Sequence, residues 1–193
     1  MSDQTLFQKP FIVGLPSWTI QDGNYEDFRQ GDQASFALEF HAQPELTAAE
    51  AGRRSVEIEL AHGSTYRIAA RVLHVREIEW WAIDAGIRMY RRGRPPSGVV
   101  EGSWVSGEAY IGVDPFEYKD RHSRHHTAPA LIYDWIIHKI ELNTAPYIQV
   151  AAGLKRDPAK SSWREIERTN AWKDGAPADY LLHCELLNNP PRR

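Results

Sequence analysis

Between residues 56 and 72 the chain alternates apolar and polar side chains on both sides of a glycine turn. Val56, Ile58 and Leu60 are separated by Glu57 and Glu59, His62-Gly63-Ser64 reverses the chain, and Tyr66, Ile68, Ala70 and Val72 take up the pattern again. A helix repeats every 3.6 residues and cannot keep a period of two on one face. The segment therefore reads as an antiparallel hairpin, and a hairpin is stable only when further strands share its apolar face.

Those strands are visible elsewhere. Phe36, Leu38 and Phe40 share a face within Ser35 to His41, and Tyr180, Leu182, Cys184 and Leu186 share one within Asp179 to Leu187. The stretch Gly98 to Val113 is apolar on both parities, as in a strand covered on both sides, and Gly102, Gly107 and Gly112 mark bends or close backbone approaches. Leu131 to Leu142 is also apolar on both parities and rich in β-branched and aromatic residues, which favours a strand, although Ile132, Ile136 and Ile140 fit a helix as well. From Arg71 to Arg92 the apolar parity changes partway, which places a bulge or corner near Glu77, and Asp84-Ala85-Gly86 is a turn. Phe11 to Ile20, broken by Gly14 and Pro16, reads as an edge segment. Tyr147 to Ala152 is a short strand and Lys155 to Pro158 a polar loop.

Helical signals are few. Glu45 to Arg53 supplies a turn or two, and Trp163 to Trp172 can open as a helix capped by Ser162, with Glu165 three residues on. Many short strands with Gly and Pro turns predict a mainly β fold, an antiparallel β-barrel or two-sheet sandwich with one or two short helices. Strands apolar on both faces with recurrent glycines suit the tight curvature of a barrel. At 193 residues the expectation is a single domain over 1–193, with 1–9 and 188–193 as flexible tails.

Composition narrows the function classes. A formal charge of -3 and pI near 6.2 give no global attraction to polyphosphate or anionic lipid. No segment approaches the roughly 20 apolar residues of a membrane span, and the N-terminus lacks a signal core. Cys184 is the only cysteine, which excludes an intramolecular disulfide and points to a reducing, cytoplasmic setting. Phosphate-binding glycine loops and the GxSxG nucleophile motif are absent.

Three groups of residues could carry function. Neutral imidazoles ligate divalent metals, so His122, His125 and His126 are candidate ligands, with His122 also a candidate acid-base group; the interleaved Arg121 and Arg124 oppose a cation. Trp80, Trp104, Tyr110, Tyr133 and Trp135 could wall a small-molecule site, and Glu101 and Asp134 are carboxylates in apolar context that burial would turn into proton donors. Arg88, Arg91, Arg92 and Arg94 around Tyr90 form a basic-aromatic group, but the negative net charge argues against nucleic acid as a partner.

The reading that follows is a β-barrel-like protein that binds a small apolar or aromatic ligand or a protein partner. It needs no cofactor, a divalent metal being the one exception. The alternative is a barrel enzyme, a hydrolase, isomerase or cyclase, using Glu101, Asp134 or His122. The third is a structural protein that forms a homodimer through an edge strand.

Overall fold

A computed structural model of the chain describes residues 10–49, 55–76, 78–150, 153–174 and 178–193. The expected tail 1–9 lies outside the described residues. The 56–72 alternation folds as the predicted hairpin, β5 (Glu57–His62) and β6 (Thr65–Arg76). β6 is twelve residues long and turns next into β7 (Trp80–Asp84), which reverses through Ala85-Gly86 into β8 (Arg88–Arg92). β3 (Leu38–His41) joins β8 through Glu39 opposite Tyr90 and pairs antiparallel with β9 (Trp104–Val113). β9 pairs along its first seven residues with β6, and that second pairing closes a five-stranded barrel.

The other strands continue from β9 as an outer sheet. Gly14 of β1 (Phe11–Pro16) bridges Gly112 of β9, and β1 then pairs with β14 (Asp179–Leu186), β14 with β10 (Tyr133–Asn143), and β10 with both β2 (Gln33–Phe36) and β13 (Trp163–Ile166). A strand expected to run unbroken from Ser35 to His41 thus divides at Ala37, its first half serving the outer sheet and its second the barrel. β4 (Thr47–Ala48) adds two residues to β9, and β11 (Tyr147–Val150) with β12 (Gly153–Arg156) forms a separate hairpin. α1 (Trp18–Gln21) and α2 (Glu117–Asp120) are single turns. No helix of the described residues is long and apolar enough to cross a membrane.

Period-two alternation decides where the core sits. On β7, Trp81 and Ile83 join the barrel's interior cluster with Phe40, Ile68, Met89 and Ile111, whereas Trp80 and Ala82 face outward into a second cluster with Tyr90, Tyr118 and Leu131. Both tryptophans are fully buried, one on each side of the same strand. An aromatic ring of this size buries about 150–250 Å², which at about 25 cal/mol per Å² contributes up to about 4–6 kcal/mol. Five strands enclose too narrow a ring for anything but side chains, so this interior is packed core.

Several expectations are corrected. Trp163 starts a strand because its segment is drawn to the edge of β10, and the Ser162 cap is unused. Phe11 to Pro16 is a central strand, with Gly14 and Pro16 placed where the ladder tolerates them. The parity change in 71–92 comes from a register slip between Val72 and His74 and the turn closed by Glu79 N–H on Arg76 C=O at 2.9 Å; Glu77 itself lies outside the described residues. Thr47–Ala48 is a strand where a helical turn was expected, and residues 50–53 of that expectation are outside the described set. β12 takes up Lys155 and Arg156, the first half of the loop expected from Lys155 to Pro158. Arg192 exchanges two backbone hydrogen bonds with Ile132, so the C-terminal tail is held against the sheet.

Candidate functional site

After β9 the chain crosses the outer face of β3, β8 and β7 as a strap, residues 114–131. Asp114, fully buried, anchors its start: its carboxylate accepts from the Tyr90 hydroxyl at 2.5 Å, from Tyr118 N–H at 3.1 Å and from Lys119 N–H at 3.3 Å. Burial pushes this carboxyl up to about 6, although those three hydrogen bonds act the other way. Farther along, the strap turns His122 inward to stack on Trp80, centroids 4.8 Å apart, while His74 of β6 lies against the same indole at 4.7 Å. His122 is 4% exposed; burial first, then the Arg121 charge, lowers its pKa to about 4. Glu117 sits 3.8 Å from His122 and 3.0 Å from Arg92, which also reaches the buried Glu39.

This strap cluster gathers three of the sequence-predicted residues: Trp80, His122 and, through a 3.2 Å contact with His74, Glu101. Glu101 is exposed and accepts from Val75 N–H at 2.9 Å. The other predicted residues lie elsewhere. Trp135 is fully buried, stacked on Phe36 at 5.4 Å, and Tyr133 packs near it with its hydroxyl accepting from Arg88 N–H. Asp134 stands at the start of β10, where Arg192 binds both its oxygens at 2.7 Å and Ser35 and Asn189 add hydrogen bonds; these hold its carboxyl well below the usual range. Trp104 is half-buried at the start of β9 opposite Arg71. Tyr110 lines a cleft of about 330 Å³ at the barrel end, with His41, His62, Arg91 and Glu108.

His125 and His126 pack together on the surface, rings 4.9 Å apart, and His125 bonds Thr127. Among the described residues no three His, Cys, Asp or Glu groups are placed to hold a metal ion. Three arginines of the basic group are paired within the chain as well: Arg88 with Asp84, Arg91 with Glu45 and Arg92 with Glu39 and Glu117, and Tyr90 is buried. Cys184 is buried in apolar surroundings that push its thiol far up, so it is inert at neutral pH.

The strap cluster is closed, and a ligand needs an opening. A cleft of about 480 Å³ lies between the loop after α1 and the segment that follows β13, lined by Ile20, Gly23, Tyr25, Glu26, Asp27, Arg29, Arg168 and Trp172. That volume falls within the roughly 300–1,000 Å³ of small-molecule sites. Asp27 stitches its two walls: Oδ1 accepts from the Thr169 hydroxyl at 2.8 Å and Ala171 N–H at 3.1 Å, and Oδ2 from Arg168 at 3.3 Å. Gln21 of α1 donates to Ala171 C=O at 2.8 Å, and Asp174 binds the Tyr180 hydroxyl at 2.7 Å. These bonds fix the loop that presents Trp172, which is 72% exposed. The sequence reading missed this site, because it set Trp172 at the end of a helical segment and no motif marks the residue; the turn formers Asn170 and Asp174 on either side were the available signal.

No family model matches the chain, and no curated protein or solved structure is significantly similar to it.

Proposed function

We propose that the protein is a non-enzymatic binding protein that holds a small, planar apolar or aromatic molecule in the cleft walled by Ile20, Tyr25 and Trp172. The exposure of Trp172 over a cleft of about 480 Å³ is the observation that carries this reading. An indole kept in water on a hydrogen-bonded loop offers a rigid apolar face at little entropic cost on binding. Of the acid-base candidates, His122 is enclosed under the strap, Asp134 is occupied by Arg192, and Glu101 accepts from Val75 N–H outside the cleft, which supports binding over catalysis. A single buried thiol accords with a cytoplasmic setting.

The test is direct binding of N-phenyl-1-naphthylamine, an uncharged aromatic probe, followed by its own fluorescence. One site per chain is expected, with affinity reduced at least about tenfold in Trp172→Ala while the far-ultraviolet spectrum is unchanged. Absence of saturable binding, or equal binding by the variant, would remove the assignment.

A further inference from the structure

We infer that the ligand of this cleft is an anion, an aromatic carboxylate, sulfonate or phosphate whose charged group is held by Arg29 and Arg168 while its ring lies against Trp172. This inference rests on the cleft being a ligand site and specifies the chemistry of what fills it.

Arg29 and Arg168 are directly opposite one another in an isolated antiparallel bridge. Gln30 N–H bonds Glu167 C=O and Thr169 N–H bonds Phe28 C=O, each at 2.9 Å, so the hydrogen bonds flank the pair. Such a non-hydrogen-bonded pair brings opposite residues to about 4.5 Å at Cα and sends both side chains to the same face. Two like charges directly opposite destabilise a strand pair, so a local reason for them is required. Arg168 is pinned by Asp27 at 3.3 Å. The Arg29 side chain makes no hydrogen bond or ion pair among the described residues. One guanidinium is thus positioned and the other is available beside it, the arrangement that grips both oxygens of an oxyanion.

The two arginines also line a second cleft, of about 460 Å³, together with Gln30 and Glu167. They are therefore shared by two openings, and a ligand in the first has both cations in its lining. Glu26 and Asp27 line the same wall. Asp27 is engaged by Arg168, Thr169 and Ala171, which leaves Glu26 to repel a misplaced anion and to accept from a hydroxyl or amine on the correct one.

The experiment compares two probes with one ring system on the full chain: 8-anilinonaphthalene-1-sulfonate and the uncharged N-phenyl-1-naphthylamine. The sulfonate is expected to bind at least about tenfold more tightly, and only its affinity is expected to fall between about 0.05 and about 0.5 M salt. Arg29→Gln, whose exposed side chain has no partner among the described residues, is expected to erase the difference, with Arg168→Lys intermediate because a point charge replaces a fork. Equal affinities for the two probes, or a sulfonate preference that survives Arg29→Gln, would overturn the anion assignment while leaving the cleft a binding site. Failure of both probes to bind would overturn both conclusions.

Discussion

Trp80 and His122 stack with their ring planes 21° from parallel, so the strap is held to the barrel by an aromatic contact that protonation would disturb. The His122 pKa is about 4 in the folded chain, against 6.5 for a free imidazole. The stability contributed by its neutral ring is fully present above pH 6.5 and is lost as pH falls towards 4. Asp114 has the opposite sign: raised from 3.8 to about 6, its contribution is present below pH 3.8 and lost as pH rises through 6. Each swing is on the order of 3 kcal/mol, and in the wild type the two slopes oppose one another between pH 4 and 6. In His122→Phe the Asp114 slope is no longer opposed by His122. Relative to wild type, this variant should gain roughly 2–3 kcal/mol between about pH 7.5 and about pH 4.5 by urea denaturation. Parallel curves for the two proteins would show that His122 does not titrate under the strap.

Gly14 lies beneath Tyr110, and a Cβ there would stand 1.9 Å from the tyrosine oxygen. Gly14→Ala should therefore cost about 1–3 kcal/mol by expelling the ring. In Tyr110→Ala the same glycine substitution has room, so the double variant should fall short of the sum of the single costs by about 1–2 kcal/mol. Strict additivity would place the cost in the backbone at the Gly112 bridge.

Arg192 and Asp134 tie the C-terminus to β2 and β10. A bidentate pair on a partly buried carboxylate is stronger than an ordinary surface ion pair, and Arg192→Ala should cost about 1–2 kcal/mol at neutral pH. Because the pair holds the Asp134 carboxyl low, the difference from wild type should persist above the ordinary carboxylate value and narrow as pH falls below about 4. A difference independent of pH would assign the effect to backbone contacts of the tail.

Trp135 and Trp172 provide a contrast between packing and binding. Trp135→Ala should cost about 3–5 kcal/mol, since a fully buried ring leaves a cavity against Phe36 and Phe11. Trp172→Ala should change stability by less than about 0.5 kcal/mol. Thermal unfolding of both variants decides the matter, and a large loss in Trp172→Ala would make that residue part of the fold.

The strands were legible in the sequence where one face meets core and the other meets water, as in β6 of the barrel and β14 of the outer sheet. They were less so where they are covered on both sides. Trp80 and Trp81 are adjacent and equally buried, so alternation by polarity vanishes and periodicity cannot tell which cluster each joins. The division at Ala37 was invisible because both halves are extended; only the choice of partner changes. Partner choice also explains Leu60, apolar in pattern yet 45% exposed, since β5 is the outermost strand beside β6. Of the predicted site residues, Trp80, His122 and Glu101 were brought near one another by long-range pairing, while Arg29 and Arg168 meet across 139 positions of chain, a juxtaposition that no local pattern encodes.

The pairing of β1 with β14 sets an order of events during synthesis. The five barrel strands lie between residues 38 and 113, and their ring can close while the rest of the chain is still being made. β1 leaves the ribosome before all of them, yet Phe11 must wait for Cys184. At about 5–20 residues per second, seconds pass in which an apolar strand bears an unpaired edge. β1 is thus made before the barrel strands yet secured after them, and until β14 emerges its unpaired edge is open to wrong partners.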